Sequence, residues 1–381
     1  MRPLSSALGV ALASSLIFTF VTAEQAPAPA APGAPAAPAA PGQAAGPAGP
    51  ARGAGGGLGQ AAGSAATQPA GGQLIALVSK QVNPPRWVAP NKPWTKLTDV
   101  LAAHKGQTDW TYRVVTDQAL EAEWISMGPG KKTPKRANND NREWWIIWDG
   151  EVKFTIDGQE PFIAKKGYMV QVPYRNFYQI ETVGNTPSLR LEVNVANQSK
   201  IYPVDETPTP REGYQFVRSR IGGAKGAYDE RAKMFVNFFD DVLPTGRGGA
   251  FVSDVRSFCN IIIGNPQNEP APTDRGHFHQ ESGEFWLIMS GKIRYRLEDA
   301  TKFGAPEVFE ADPGDVVYAP RQTWHLASVG GVGTNVRGTR IAMNGYPDLA
   351  HNYEAPSEDA PRGGGPGRGG RGAGRGAPQG Q

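Results

Sequence analysis

The clearest pattern in the chain is an alternation of apolar and polar residues that begins near residue 140. Val152, Phe154 and Ile156 alternate with polar residues, and the same period of two recurs over 189–195 and 293–297. Because successive side chains on a strand point to opposite faces, this period predicts β-strands. The strands are short and separated by Gly and Pro, which is typical of an all-β sandwich or barrel.

Helical patterning is confined to one short stretch near the start of this region. Leu97, Val100 and Leu101 lie at helical spacing, and Gly106 follows as a stop signal. We therefore predict an all-β fold with a short helical N-terminal extension.

The strand-rich part of the sequence repeats itself. The segment EWWIIWDG at 143–150 matches EFWLIMSG at 284–291, and GYMVQVP at 167–173 matches GDVVYAP at 314–320. Two blocks kept in the same order indicate two copies of one β-domain rather than a chance likeness. The first pair is offset by 141 residues and the second by 147, so we expect a longer loop near 301–306 in the second copy.

The N-terminal residues 1–23 are typical of a secretory signal peptide. Arg2 supplies a positive start, an apolar run follows, and small residues precede a cleavage site near Ala23. The run is short and contains four serines, which favours cleavage over the alternative of a retained membrane anchor. The sequence therefore predicts a secreted or periplasmic protein with no transmembrane segment after the signal is removed.

Two further segments have compositions that do not support a packed core. The chain has 48 Gly and 34 Pro, concentrated with Ala in a spacer at 24–73 and with Arg in a tail at 356–381. We expect both to be disordered, because they cannot bury enough apolar surface to offset the entropy of ordering. Between them we predict a degenerate N-terminal domain with the helical extension at 74–220 and a metal-binding C-terminal domain at 221–355.

Charge and cysteine content exclude several classes of protein. The net charge is only +3, and residues 74–355 carry no net charge, which argues against a nucleic-acid-binding core. The Arg/Gly tail is interpreted as a weakly cationic solvated segment, with RNA binding as the alternative. A single cysteine, Cys259, excludes a disulfide framework and a Cys-based zinc cage.

Four residues of the second copy form a candidate metal-ligand set. In GHFHQESGEFW, His277 and His279 lie two apart and so share one face of a strand, and Glu284 follows after a short break. His325 comes later, after a proline-marked loop, on a strand that could face the first one. Imidazoles with one carboxylate suit Mn, Fe, Co, Ni or Zn. The alternative is a set of histidines that line a polar interior without a metal.

These residues resemble the metal-binding pattern of the cupin superfamily. That pattern reads His-x-His, four residues, Glu, six residues, Gly, and then Gly, five residues, Pro, four residues, His. It is filled here by the residues His277, His279, Glu284, Gly291, Gly314, Pro320 and His325. The resemblance implies a bicupin, which is two cupin-type (double-stranded β-helix, or jelly-roll) barrels, with one divalent metal per chain held by three His and one Glu. It implies open coordination positions for a small-molecule substrate and, since such barrels often pair, a homo-oligomer.

The first copy departs from the metal-binding pattern. The positions that match the three histidines are Arg136, Asn138 and Tyr178, and only the carboxylate, at Glu143, is kept. Without an imidazole these residues do not compete for a transition metal. We therefore expect a single metal site, in the second copy.

The family implied by the resemblance includes dioxygenases, decarboxylases, isomerases and non-catalytic binders. We expect an exported oxygenase-type oxidoreductase that acts on a small organic, aromatic or carboxylated molecule and uses Fe, Mn or Zn. The alternatives are a metal- or ligand-binding protein without turnover and a Lewis-acid decarboxylase or isomerase. The sequence assigns no catalytic residue. Arg294 and Arg296 either clamp a substrate carboxylate or form a charged strand edge, and Glu281 is interpreted as a solvated loop carboxylate.

Overall fold

The structure is a computed structural model that describes residues 77–81, 87–264, 270, 274–298, 306–328, 338–345 and 350–352. The predicted signal peptide (1–23), spacer (24–73) and Arg/Gly tail (356–381) lie outside the described residues. Most of the longer loop expected near 301–306 also lies outside them.

The first half of the described chain holds one helix and eleven strands. They are β1 (Trp94–Thr95), α1 (Leu97–Ala103), β2 (Trp110–Thr116), β3 (Leu120–Met127), β4 (Ala137–Asn138), β5 (Glu143–Asp149), β6 (Glu151–Ile156), β7 (Phe162–Ala164), β8 (Tyr168–Val172), β9 (Tyr178–Val183), β10 (Ser188–Val195) and β11 (Lys200–Ile201). The predicted helical extension is confirmed as α1. Leu97 and Val100 are buried, but Leu101 faces solvent.

The second half repeats this order with two short helical turns, Phe238–Val242 and Leu243–Thr245, in place of α1. The strands are β12 (Phe235–Asn237), β13 (Gly249–Ser253), β14 (Phe258–Ile263), β15 (His277–His279), β16 (Glu284–Ser290), β17 (Ile293–Glu298), β18 (Glu307–Ala311), β19 (Val316–Ala319), β20 (Trp324–Ser328), β21 (Thr339–Asn344) and β22 (Ala350–Asn352). None of the helices in the described ranges is long and apolar enough to cross a bilayer.

Each half is built from facing β-sheets, and we call the two halves the first and the second sandwich. In the first, the six strands β12-β8-β5-β10-β3-β2 face the three strands β7-β6-β9, with β11-β4 as a small extra sheet. In the second, β1-β19-β16-β21-β14-β13 face β18-β17-β20-β15-β22. All pairings are antiparallel, as the short alternating segments indicate. The predicted all-β, cupin-type fold is confirmed, although the sheets do not close into continuous barrels.

The two six-stranded sheets pack against each other through their outer faces. On β5, Trp145 and Ile147 face the interior of the first sandwich, while Trp144 and Ile146 belong to a core that both halves share. The matching strand β16 divides its residues in the same way. A strand buried on both faces carries a continuous apolar run, which explains the sequence EWWIIW.

Each half lends one edge strand to the other. Trp94 of β1 pairs with Val317 of the second sandwich, and Phe235 of β12 pairs with Val170 of the first. Trp94 and Phe235 are 141 residues apart, which is the offset of the first repeated block. The repeat thus includes its leading strand, and the leading strands are exchanged. The domain bounds 74–220 and 221–355 stay a prediction.

Candidate metal centre

The predicted ligand residues come together at one end of the second sandwich. His277 and His279 lie on β15, Glu284 begins β16, and His325 lies on β20 directly opposite His277. One ligand atom from each of these four residues lies within 4.8 Å of every other. The strand pairing thus positions the two histidine segments, and β16 brings the carboxylate from the facing sheet.

The distances among these atoms fit a single bound cation. Glu284 Oε2 lies 3.0 Å from His279 Nε2, 3.0 Å from His325 Nε2 and 3.7 Å from His277 Nε2. The His277 and His325 Nε2 atoms are also 3.0 Å apart. Ligand atoms at about 2.1 Å from a metal and at right angles to each other are about 3 Å apart. The donor set therefore fits a divalent transition metal in both its chemistry and its spacing.

The tautomer of His325 is set by a backbone group. Its Nδ1 lies 3.0 Å from the carbonyl oxygen of Thr323, so the Nδ1–H donates there. The lone pair of Nε2 is then directed at Glu284 and the other histidines. Backbone hydrogen bonds of this kind fix the orientation of metal-ligating imidazoles.

The electrostatics of the site favour the ligating forms of these groups. Burial alone would raise the pKa of Glu284, but its contacts with the imidazoles of His277, His279 and His325 outweigh burial and hold that pKa well below its usual range. Burial, together with the nearby His277, lowers the pKa of His325 to about 4. An ionised carboxylate and a neutral imidazole are the forms that bind metals.

The four candidate ligand residues differ in their exposure to solvent. His279, Glu284 and His325 are buried, whereas the His277 side chain is 35% exposed. His277 is therefore the ligand residue most open to solvent.

The aromatic residues that flank the motif divide among three environments. The Trp286 ring faces the interior and lies 5.0 Å from the His325 ring. Phe285 and Tyr318 point into the core between the sandwiches. Phe278 and Trp324 pack on each other at 4.7 Å. Of these five aromatic residues, Trp286 alone packs within the interior core of the second sandwich.

Other charged candidates from the sequence lie away from the centre. Arg294 forms a surface ion pair with Glu310 at 3.0 Å, and Arg296 pairs with Glu298 at 3.2 Å. They lie on β17, which is an inner strand, so they are neither a clamp at the centre nor a sheet edge. Glu281 is exposed in the loop, as expected.

The equivalent place in the first sandwich holds a network of charged side chains. Arg136 and Tyr178 form a bridge that matches the pairing of His277 with His325. Glu143 accepts hydrogen bonds from the Tyr178 hydroxyl and from the Lys200 ammonium group. Lys200 thus places a cation of the chain itself beside the retained carboxylate.

Sequence reasoning missed Lys200 and also Glu192, a second buried carboxylate in this network. The Arg136 Nη2 atom lies 3.2 Å from Glu192 Oε2, and the Trp145 Nε1–H donates to the same oxygen at 2.8 Å. The alternation over 189–195 held a signal, because apolar residues on one face leave Arg190, Glu192 and Asn194 on the other. That second face turns out to be the interior of the first sandwich.

Comparison with known proteins adds similar structures but no family assignment by sequence. No protein-family model and no curated protein matches the chain. Among solved structures, it is similar to a mutant salicylate 1,2-dioxygenase from Pseudoaminobacter salicylatoxidans in complex with gentisate, at a TM-score of 0.47 and 11% identity over 68% of this chain and 85% of that chain. It is also similar to a Lactobacillus farciminis oxalate decarboxylase formate complex, at 0.40 and 15% over 64% and 84%. A cupin 2 conserved barrel domain protein from Leptotrichia buccalis gives 0.40 and 9% over 70% and 99%.

The class of fold follows from the chain's own architecture. Two sandwiches with the same strand order are joined back to back, and the second carries the His-x-His, Glu and His positions on the strands where the repeat places them. The protein therefore has a bicupin fold with one complete candidate metal centre among its described residues.

Proposed function

We propose that this chain is an exported, metal-dependent bicupin that acts as an oxygenase-type oxidoreductase on a small organic molecule. One divalent metal would be held by His277, His279, Glu284 and His325. The observation that carries this proposal is the convergence of three imidazoles and one carboxylate within 4.8 Å in a largely buried site.

The chain contributes binding, orientation and exclusion of water. A metal bound by these four residues would supply Lewis acidity or one-electron chemistry toward a substrate or dioxygen. Glu284 supplies negative charge to the centre, and the Thr323 carbonyl holds the His325 imidazole in its ligating tautomer. Three of the four ligand residues are buried, so a substrate bound beside them would be held in a low-dielectric space.

Iron, manganese and zinc are the metals that this donor set suits. Three imidazoles and a carboxylate are intermediate in hardness, and the Irving–Williams order gives zinc higher affinity than iron or manganese. A protein exported unfolded acquires its metal outside the cytoplasm, where zinc competes strongly. Elemental analysis of protein isolated from its native compartment would identify the metal.

Oxygen consumption tests the proposed reaction. Protein loaded anaerobically with Fe(II) is mixed with phenolic and 2-oxo acid substrates, and oxygen uptake and products are measured. The proposal expects uptake that depends on substrate and is lost in His325→Ala. If no metal form consumes oxygen or changes a substrate, the enzyme proposal fails and a binding protein without turnover remains. Product formation without oxygen uptake would instead indicate a Lewis-acid decarboxylase or isomerase.

Export is a separate part of the proposal and has its own test. The support is the sequence of residues 1–23, with its positive start, apolar run and small residues near Ala23. N-terminal sequencing of protein recovered from the periplasm or medium should begin at Glu24. Recovery of the intact N-terminus from the membrane fraction would indicate a retained anchor.

A further inference from the structure

The two sandwiches can be compared position by position along β10 and β21, the inner strands next to β5 and β16. Glu192 of β10 lies opposite Trp145, and Ala342 of β21 lies opposite Trp286. Trp145 and Trp286 are equivalent in the repeat, so Glu192 and Ala342 are equivalent too. By the same register Asn194 corresponds to Asn344.

In the first sandwich the Glu192 carboxylate is held by three donors. Trp145 Nε1 donates at 2.8 Å, Asn194 Nδ2 at 3.1 Å, and Arg136 Nη2 at 3.2 Å and 3.3 Å to the two oxygens. Glu192 is 3% exposed, so this is a buried carboxylate with its hydrogen bonds satisfied. The interior of this fold thus forms a binding site for a carboxylate, which the first sandwich fills with its own side chain.

The second sandwich keeps two of these donors and lacks the carboxylate. Trp286 and Asn344 match Trp145 and Asn194, whereas Ala342 ends at Cβ and lacks the carboxymethyl group that Glu192 carries beyond it. Trp286 is 3% and Asn344 8% exposed, and within the part of the chain that the structure describes neither side chain has a hydrogen-bond partner. Neither donor is sealed from solvent, because the buried unpaired polar atoms of the described residues do not include them, so both can donate to an acceptor that enters the site.

Two other polar atoms of the second sandwich are buried and unpaired among the described residues. Arg340 matches Arg190, and its Nε is buried without a partner among the described residues. The hydroxyl of Tyr295 is also buried and unpaired there, and its ring lies 5.2 Å from the Trp286 ring. Burial raises the pKa of the Tyr295 hydroxyl, the nearby Arg340 opposes this shift, and Glu284 adds to it.

We propose that the second sandwich binds a small organic carboxylate over Ala342, with its carboxylate group hydrogen-bonded by Trp286 and Asn344 beside the metal ligands. The carboxylate takes the place that Glu192 fills in the first sandwich, and Arg340, two residues from Ala342 on the same strand, contributes positive charge. The proposal names the substrate class for the proposed function and rests on it for the metal. Binding of the acid can nevertheless be measured without turnover.

Calorimetric titration of the full mature chain tests the proposal. Pyruvate and benzoate are titrated into zinc-loaded and metal-free protein, with pyruvamide and benzamide as neutral controls. We expect one equivalent of at least one acid to bind and its amide to bind at least about tenfold more weakly, because hydrogen bonds to a charged group are the stronger ones. If neither acid binds, or the amides bind equally well, the proposal is overturned.

Matched variants of the two tryptophans separate this site from simple coordination of the acid by the metal. Trp286→Phe keeps the ring and removes the donor, and we expect about tenfold weaker binding of the acid. Trp145→Phe makes the same change in the first sandwich and should leave the affinity unchanged. Equal affinity in the parent and Trp286→Phe would mean that the metal alone holds the acid, and the proposal would be wrong.

A variant of Ala342 tests the internal comparison directly. Ala342→Glu supplies the carboxylate from the chain, so the protein should bind neither acid and still hold one zinc per chain. If this variant does not fold, Asn344→Leu is used instead, because it removes the second donor. It should bind the acid more weakly than the parent protein does. Unchanged affinity in Asn344→Leu would contradict the proposed site. Zinc content is measured on the same samples to separate the carboxylate site from the proposed metal-dependent function. If the chain binds the acid but holds no metal, the proposed function is overturned and the carboxylate site stands.

Discussion

Glu284 is the residue that links all the candidate metal ligands. Its Oε2 is within 3.7 Å of an Nε2 atom from each of His277, His279 and His325. A buried carboxylate is costly unless it is paired, and here its partners are neutral or weakly basic imidazoles rather than a permanent cation. A divalent ion among these atoms would supply the missing positive charge.

Replacing one imidazole should therefore remove the metal. In His325→Ala the centre loses the ligand oriented by Thr323, and we expect affinity for Zn(II) to fall by more than about 100-fold, beyond the loss typical of an outer hydrogen-bond partner. Metal content per chain is measured by elemental analysis after dialysis. His104→Ala is the control, since His104 stacks on Trp110 at 4.4 Å and lies outside the ligand set, so it should retain full metal. Full occupancy in His325→Ala would show that the assignment is wrong.

Lys200 has the corresponding role in the first sandwich, where its ammonium group contacts Glu143. Both side chains are largely buried, at 16% and 1% exposure. Burial is the largest influence on both groups, lowering the pKa of Lys200 and raising that of Glu143. Burial therefore disfavours the charged form of each group, and each charge is stabilised by the opposite charge of its partner.

Removing one charge of this pair should destabilise the protein more than removing both. Lys200→Met removes the cation that contacts Glu143 and leaves only the more distant Arg136 Nη2 at 4.0 Å, and we expect a loss of about 3–5 kcal/mol in the free energy of unfolding. Adding Glu143→Gln to Lys200→Met should recover part of that loss. Urea unfolding measures both variants, provided that the m value is unchanged. A double variant less stable than Lys200→Met would contradict this account.

The residues of the candidate centre could be predicted from sequence, whereas the charged network could not. His277 and His279 share a strand face by the period of two, and Glu284 and His325 complete the ligand pattern of the cupin superfamily, which the sequence resembles. Lys200 follows no such rule, because it reaches Glu143 from a short strand that pairs with β4. Its position depends on the path of the chain after β10, which no local pattern encodes.

At the scale of elements, the alternating pattern predicted the strands. It did not predict whether the polar side of each strand faces solvent or the protein interior. Over 189–195 the apolar residues Leu191 and Val193 lie in the core between the sandwiches, and the charged Glu192 faces the interior of the first. A period of two identifies a strand with two unlike faces. It does not say that the polar face is exposed, and here that face forms the carboxylate site.

The exchanged strand β1 is fixed by one buried aspartate. Asp315 accepts hydrogen bonds from Trp94 Nε1 at 2.7 Å and from the backbone N–H of Leu97 at 3.1 Å. Trp94 also stacks on Phe309 with ring centroids 5.0 Å apart. The local sequence around Trp94 predicts only a short strand. The partner lies more than two hundred residues away and could not be predicted from it.

Loss of the Asp315 carboxylate should loosen this connection. Asp315→Ala leaves the Trp94 and Leu97 donors without their acceptor, and we expect about 2–3 kcal/mol lower stability in urea. Asp312→Ala is the matched control, since Asp312 forms a half-exposed ion pair with Lys292 at 2.9 Å and should cost less than about 1 kcal/mol. Equal losses in the two variants would contradict the role given to Asp315.

At the scale of the whole molecule, the shared core and the exchanged strands make the two sandwiches depend on each other. Phe285, Leu287 and Met343 of the second sandwich are at most 1% exposed because they pack in a core with residues of the first. A second half produced alone would expose this apolar face and would lack β1. Exposed apolar surface of this extent promotes association or incomplete packing.

Separate production of the two predicted domains tests this dependence. We expect residues 221–355 alone to aggregate or to lack sharp thermal unfolding. We also expect this fragment to bind zinc poorly, because β16, which carries Glu284, pairs with β19, and β19 would lack its other neighbour, β1. Co-production with residues 74–220 should restore a 1:1 complex that unfolds cooperatively and holds one zinc. The comparison uses size-exclusion chromatography, thermal unfolding and metal content. If residues 221–355 alone fold and bind zinc as the full chain does, then the exchange of strands is dispensable. The metal centre would then not depend on the first sandwich.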